Sequence, residues 1–129
     1  MFWLIVHVLL TKVIPVSDET ITGYADRSAV YQLIEMNGQP VTTSNTLVFP
    51  GRNAVTARTA CFRYEGQQSL PYPWFEFELQ QRTDYSCIEQ AFEAEFRKHL
   101  FSADLVETFG NTLILSGEDG PQLVFQIRE

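Results

Sequence analysis

Cys61 and Cys87 are the chain's only cysteines, and bonding them to each other would limit the fold more than any other feature. A disulfide needs their Cα atoms within roughly 4.4–6.8 Å. The apolar start at residues 1–10 gives the pairing a context. Two cysteines behind an exporting leader suggest one disulfide made in an oxidising compartment, so the expected location is periplasmic or secreted. A bridge would also occupy the two best nucleophiles in the chain.

The run from Phe2 to Leu10 is too short to cross a bilayer, which takes roughly 20 apolar residues. It has the length of a signal-peptide apolar region, although no basic residue precedes it and Lys12 follows it. Residues 1–17 therefore read as an atypical or truncated signal peptide, with cleavage near Val16–Ser17. A buried first strand is the alternative. Residues 18–129 read as a single domain. Hydrophobic content of 45% is enough for a core and argues against disorder. A net charge of −7 repels phosphate backbones and anionic lipid, so nucleic-acid partners are not expected. No stable membrane span is expected in the mature chain.

Most of the mature chain reads as short strands separated by turn signals. Residues 30–36 form the first, and Asn37-Gly38 suits a tight hairpin. Residues 46–49 and 53–64 follow, the latter as one strand with Val55, Ala57 and Thr59 on one face. Residues 67–74 form a Pro/aromatic loop, because proline cannot donate to a ladder. Phe75, Phe77 and Leu79 then alternate inward, while Glu76, Glu78 and Gln80 face water. A helix should start at Ser86, where Ser86-Cys87-Ile88-Glu89 has the form of a capping box. Ile88, Ala91, Phe92, Phe96 and Leu100 recur at helical spacing, so Ile88, Phe92 and Phe96 should face the sheet. Residues 104–109, 112–116 and 122–127 close the chain as a meander, with turns at Gly110-Asn111 and 117–121.

Several of these segments resemble the META domain, the family that includes HslJ-like heat-shock proteins. Tyr31-Gln-Leu-Ile-Glu-Met-Asn-Gly-Gln-Pro-Val41 is similar to its opening strand and turn. Ala60-Cys61-Phe62-Arg63-Tyr64-Glu65-Gly66 is similar to its Gly-Cys-Asn-Arg-Tyr-x-Gly segment, with Ala60 and Phe62 in place of Gly and Asn. Thr83-Asp84-Tyr85-Ser86-Cys87 sits where the family has Thr-x-x-Ala-Cys. The following helix and Asn111-Thr-Leu-Ile-Leu115 fit as well, so the resemblance spans about residues 30–128. It implies a mostly β fold with one helix (α+β): an antiparallel curled sheet or small barrel with the helix packed across it. It implies no catalytic activity. It also implies an exported envelope protein, in some relatives linked to stress.

The residues themselves offer no catalytic set. Cys87 at a helix start would be a stabilised thiolate, but the only histidine after the leader is His99, roughly 18 Å further along such a helix. His99 should sit on a solvated face. Two cysteines with one distant histidine do not make a zinc site. Glu118-Asp119-Gly120 has too few oxygen ligands for calcium and reads as a turn. Glu76 and Glu78 read as a solvated strand face. Neither a cofactor nor a metal is expected. Tyr72 and Trp74, on a proline-stiffened loop, are the candidate contact surface. The expected role is a non-enzymatic envelope accessory or stress-related binding protein. A carrier of a small apolar ligand, or a protease-inhibitor-like binder using loop 70–74, are the alternatives.

Overall fold

A computed structural model describes residues 17–128. The predicted leader lies outside these residues, except for Ser17. One antiparallel sheet dominates. Its strands are β1 (Tyr31–Met36), β2 (Gln39–Pro40), β3 (Thr46–Val48), β4 (Ala54–Arg58), β5 (Phe62–Gln67), β6 (Glu78–Asp84), β7 (Leu105–Phe109), β8 (Thr112–Gly117) and β9 (Gly120–Ile127). Two helices accompany them: a single turn, α1 (Ile21–Tyr24), and α2 (Ala91–Ser102). The strand order is β6-β5-β4-β3-β1-β9-β8-β7, with β2 beside β1. The fold is therefore mostly β with one main helix, a curled antiparallel half-barrel, as the sequence predicts.

Alternation builds the inner face. Leu33 on β1, Leu47 on β3, Val55 and Ala57 on β4, Tyr64 on β5, Leu113 and Leu115 on β8, and Phe125 on β9 are all fully buried. Thr59 is buried on the predicted face too. The Asn37-Gly38 turn forms as expected, with φ of 50° and 78°. Such angles suit a two-residue hairpin that follows the sheet's twist. The final meander also matches, although its last turn is tighter than expected, since Gly117 pairs directly with Gly120.

Three expectations need correction. Residues 53–64 are two strands, not one: Thr59 turns the chain, its hydroxyl accepting the amides of Cys61 at 3.2 Å and Phe62 at 3.0 Å. β6 begins at Glu78, later than predicted. Phe75 and Phe77 are buried as expected, but Leu79 is 44% exposed. Register pairs Leu79 with Gly66, so its direction is the predicted one; β6 is an edge strand, and burial there is partial.

The helix also starts late. Ser86 adopts φ 60°, and its amide donates to Asp84 Oδ1 at 2.7 Å. Tyr85 N–H donates to Cys61 O at 2.9 Å. These contacts commit residues 84–87 to a turn, so the capping box does not form. Gln90 is the N-cap residue and makes no side-chain cap bond. Ile88 consequently lies outside the helix and is 86% exposed, not buried. The buried helical stripe is Glu93, Phe96, His99 and Leu100, with Phe92 only half-buried. This face packs on β8 and β9, where Phe96 meets Phe125 edge to face at 6.4 Å.

Candidate functional site

The Cys61–Cys87 disulfide forms one corner of the fold, with Cα atoms 5.3 Å apart. That distance is ordinary for a bridge. Cys61, just before β5, is buried, whereas Cys87 lies in the exposed turn before α2. Behind them sits Glu93, 6% exposed, whose Oε1 accepts the Cys61 amide at 3.1 Å. No local pattern in the sequence marks Glu93 for burial. It lies one turn before Phe96 on the inward stripe, where the Cys61 amide meets its carboxylate. The ligand atoms of Cys61, Cys87 and Glu93 lie within 4.8 Å of one another. Both sulfurs are consumed by the S–S bond, so this corner offers a metal one carboxylate and no thiolate.

The second feature is the β7 edge. Loop 71–75 crosses it and ties down: Val106 N–H donates to Pro73 O at 2.8 Å, and Phe75 N–H to Asp104 O at 3.0 Å. Thr108 N–H donates to the Tyr72 hydroxyl at 3.1 Å, and Tyr72 N–H donates to Glu19 O at 2.7 Å. Tyr72 is half-buried, its ring stacked on Tyr24 with centroids 4.4 Å apart. Trp74 stands out at 56% exposure, Tyr24 at 55% and Phe109 at 58%. Tyr72 stacks on Tyr24, Trp74 bridges Leu105 at the start of β7, and Phe109 is exposed at its end, so all four lie along this edge. Tyr24 was missed because the turn carrying it has no periodicity to read.

A hydrogen-bonded hub anchors this edge. The Asp18 carboxylate accepts from Thr20 N–H at 3.0 Å, Thr20 Oγ1 at 2.6 Å and Arg27 Nη2 at 2.7 Å, and from the Thr22 hydroxyl. Burial pushes its pKa up, but these hydrogen bonds outweigh burial and hold it at about 2.

His99 is not on a solvated face. Its side chain is buried beneath the β1–β2 turn, with Nε2 at 2.9 Å from Asn37 Nδ2 and 3.5 Å from Glu95 Oε1. The Asn-Gly turn folds over the C-terminal half of the helix, which a helix-only reading does not reveal. Glu76 and Glu78 are exposed, and Glu118-Asp119 form a turn, both as expected.

Comparison with known proteins decides the lineage. The META domain family model matches residues 26–129. The chain belongs to the META domain family. No curated protein matches it. Among solved structures it is similar to a DUF4847 family protein from Bacteroides vulgatus ATCC 8482, at 13% identity and a TM-score of 0.61, covering 78% of this chain and 92% of that one. An NMR structure of a protein from Burkholderia xenovorans matches at 17% identity and a TM-score of 0.57, covering 90% of this chain and 92% of the other. Identities this low establish a shared fold and nothing about activity.

Proposed function

We propose that this META domain is an exported, non-enzymatic accessory or stress-related protein of the cell envelope, periplasmic or secreted, that acts by binding a protein partner. The observation that carries the reading is the aromatic surface at the β7 edge. Trp74, Tyr24 and Phe109 are each more than half exposed, on backbone held by the hydrogen bonds of loop 71–75. Rigid aromatic side chains give contact area at low entropic cost. The disulfide supports the exported compartment.

The two alternatives are less well supported. Tyr31, Phe49, Tyr64, Phe96 and Phe125 fill the inside of the curled sheet, where a carrier would hold an apolar ligand. The backbone of residues 72–75 is already hydrogen-bonded to the rest of the domain, so a protease could not pair with it as with an inhibitor loop.

The test is complementation of a strain lacking the gene. A Trp74→Ser/Phe109→Ser double variant, which leaves the Tyr24–Tyr72 stack in place, should accumulate and melt like wild type yet fail to complement. Full complementation by that variant rejects the reading.

A further inference from the structure

The outer face of β3, β4 and β5 carries a different kind of surface. Register places Thr46 opposite Arg58, and Arg58 opposite Arg63, in one cross-strand row. Like charges directly opposite one another on a sheet face repel and destabilise it. The row continues to Gln32, which pairs with Thr46. There Arg128, just past β9, donates from Nη2 to Gln32 Oε1 at 3.0 Å. A groove of about 690 Å³ opens over this row, lined by Arg58, Arg63 and Arg128 with the hydroxyls of Ser44, Thr46 and Thr56, and by no Asp or Glu.

That lining runs against the composition of the chain, which has 16 acidic residues and 9 basic ones. Among the described residues Arg58 and Arg128 form no ion pair; Arg63 meets Glu65 at 3.0 Å, where both side chains are more than a third exposed. Arg58 lies over the Tyr85 ring, 5.2 Å from its centroid, which fixes the guanidinium without neutralising it. Arg58 and Arg128, left without a carboxylate among the described residues, and Arg63, met only by an exposed pair, mark a place for an anion. Guanidinium forks match phosphate and carboxylate oxygens in paired hydrogen bonds, and the hydroxyls can donate to further oxygens.

We propose that this groove binds a small soluble ligand bearing at least two oxyanionic groups, phosphate or carboxylate. One group sits between Arg58 and Arg63 and relieves their repulsion. The second is met by Arg128, and the groove is far larger than a lone phosphate requires. The proposal shares no residue with the aromatic surface, so the two stand or fall separately.

Calorimetric titration of the oxidised protein with pyrophosphate, citrate and orthophosphate tests it. Saturable binding of pyrophosphate or citrate is expected, weakened by added NaCl, and at least roughly tenfold tighter than binding of orthophosphate. Arg58→Gln and Arg63→Gln should each weaken it at least about tenfold, while Lys98→Gln, outside the groove, leaves it unchanged. Arg58→Gln removes the like-charge pair, so without ligand it should melt no lower than wild type. No saturable binding of pyrophosphate or citrate overturns the proposal. So does orthophosphate binding equally well, or wild-type affinity in both arginine variants.

Discussion

At the β6 end of the sheet, closure is covalent: the Cys61–Cys87 bond fastens the start of β5 to the approach of α2. At the β7 end it is made by hydrogen bonds and stacked rings alone, through Pro73, Phe75, Tyr72 and Tyr24. Both edges face the same hazard, since an open strand edge presents unpaired backbone groups that invite aggregation. The difference lies in what each closure uses: one covalent bond between two cysteines, or a backbone-tied loop and a stacked tyrosine pair. A disulfide fixes its corner, where Tyr85 and Ile88 are exposed beside Cys87. The hydrogen-bonded edge gathers Trp74, Tyr24 and Phe109 at the surface. Helix α2 serves both edges, because its buried stripe covers the inside of the sheet between them.

The largest expected effect tests that shared support. Phe96→Ala should cost about 3–5 kcal/mol, because a fully buried ring leaves a cavity beside Phe125. Ile88→Ala, at an 86% exposed position, should cost less than about 0.5 kcal/mol. Urea melts giving the two variants similar losses would mean the helix face is misassigned.

Removing the covalent closure comes next. A Cys61→Ser/Cys87→Ser double variant should lose roughly 3–4 kcal/mol for a bridge spanning 26 positions, mainly through a less restricted unfolded chain. Amide exchange should accelerate in β5, β6 and the start of α2 before it does in β7. Acceleration at β7 first would show that the two closures are not independent.

On the other edge single changes should be milder. Tyr72→Phe removes the acceptor of Thr108 N–H and should cost about 1 kcal/mol. A loss near that of the disulfide variant would make this edge the stronger of the two.

The last effect shows only in acid. Asp18 is held at about 2 in the folded protein, against about 3.9 for a free aspartate. Its contribution is therefore fully present above about pH 4 and is lost as the pH falls toward 2. Wild type should lose its stability advantage over Asp18→Asn across that window. An advantage that is constant down to pH 2 would mean the hydrogen bonds to Asp18 do not form in solution.

Local chemistry made much of the fold legible. Asn37-Gly38 announces a turn because both residues accept positive φ, and the alternation on β4, β8 and β9 leaves one choice of inner face. What stayed hidden depended on partners distant in sequence. Ser86-Cys87-Ile88-Glu89 has the composition of a helix start, but Asp84 and the tie to Cys61 take residues 84–87 into a turn instead. Reading residues 53–64 as one strand concealed the turn at Thr59, and with it the fact that Arg58 faces Arg63. A cue existed in Thr59, whose hydroxyl can cap a turn. Burial of His99 beneath Asn37 joins positions 62 residues apart, and no local pattern carries that. Tyr72 and Trp74 were legible as loop residues because proline keeps the segment out of a central strand, but the single bridge from Trp74 to Leu105 was not.

The proposed role is that of an exported domain, closed by the Cys61–Cys87 bond at one edge and binding through the other. Its most direct test is the intact mass of protein recovered from fractionated cells after alkylation without prior reduction. The account predicts recovery in the envelope or the medium, with neither Cys61 nor Cys87 alkylated. Protein found in the cytosol with both cysteines alkylated would contradict it.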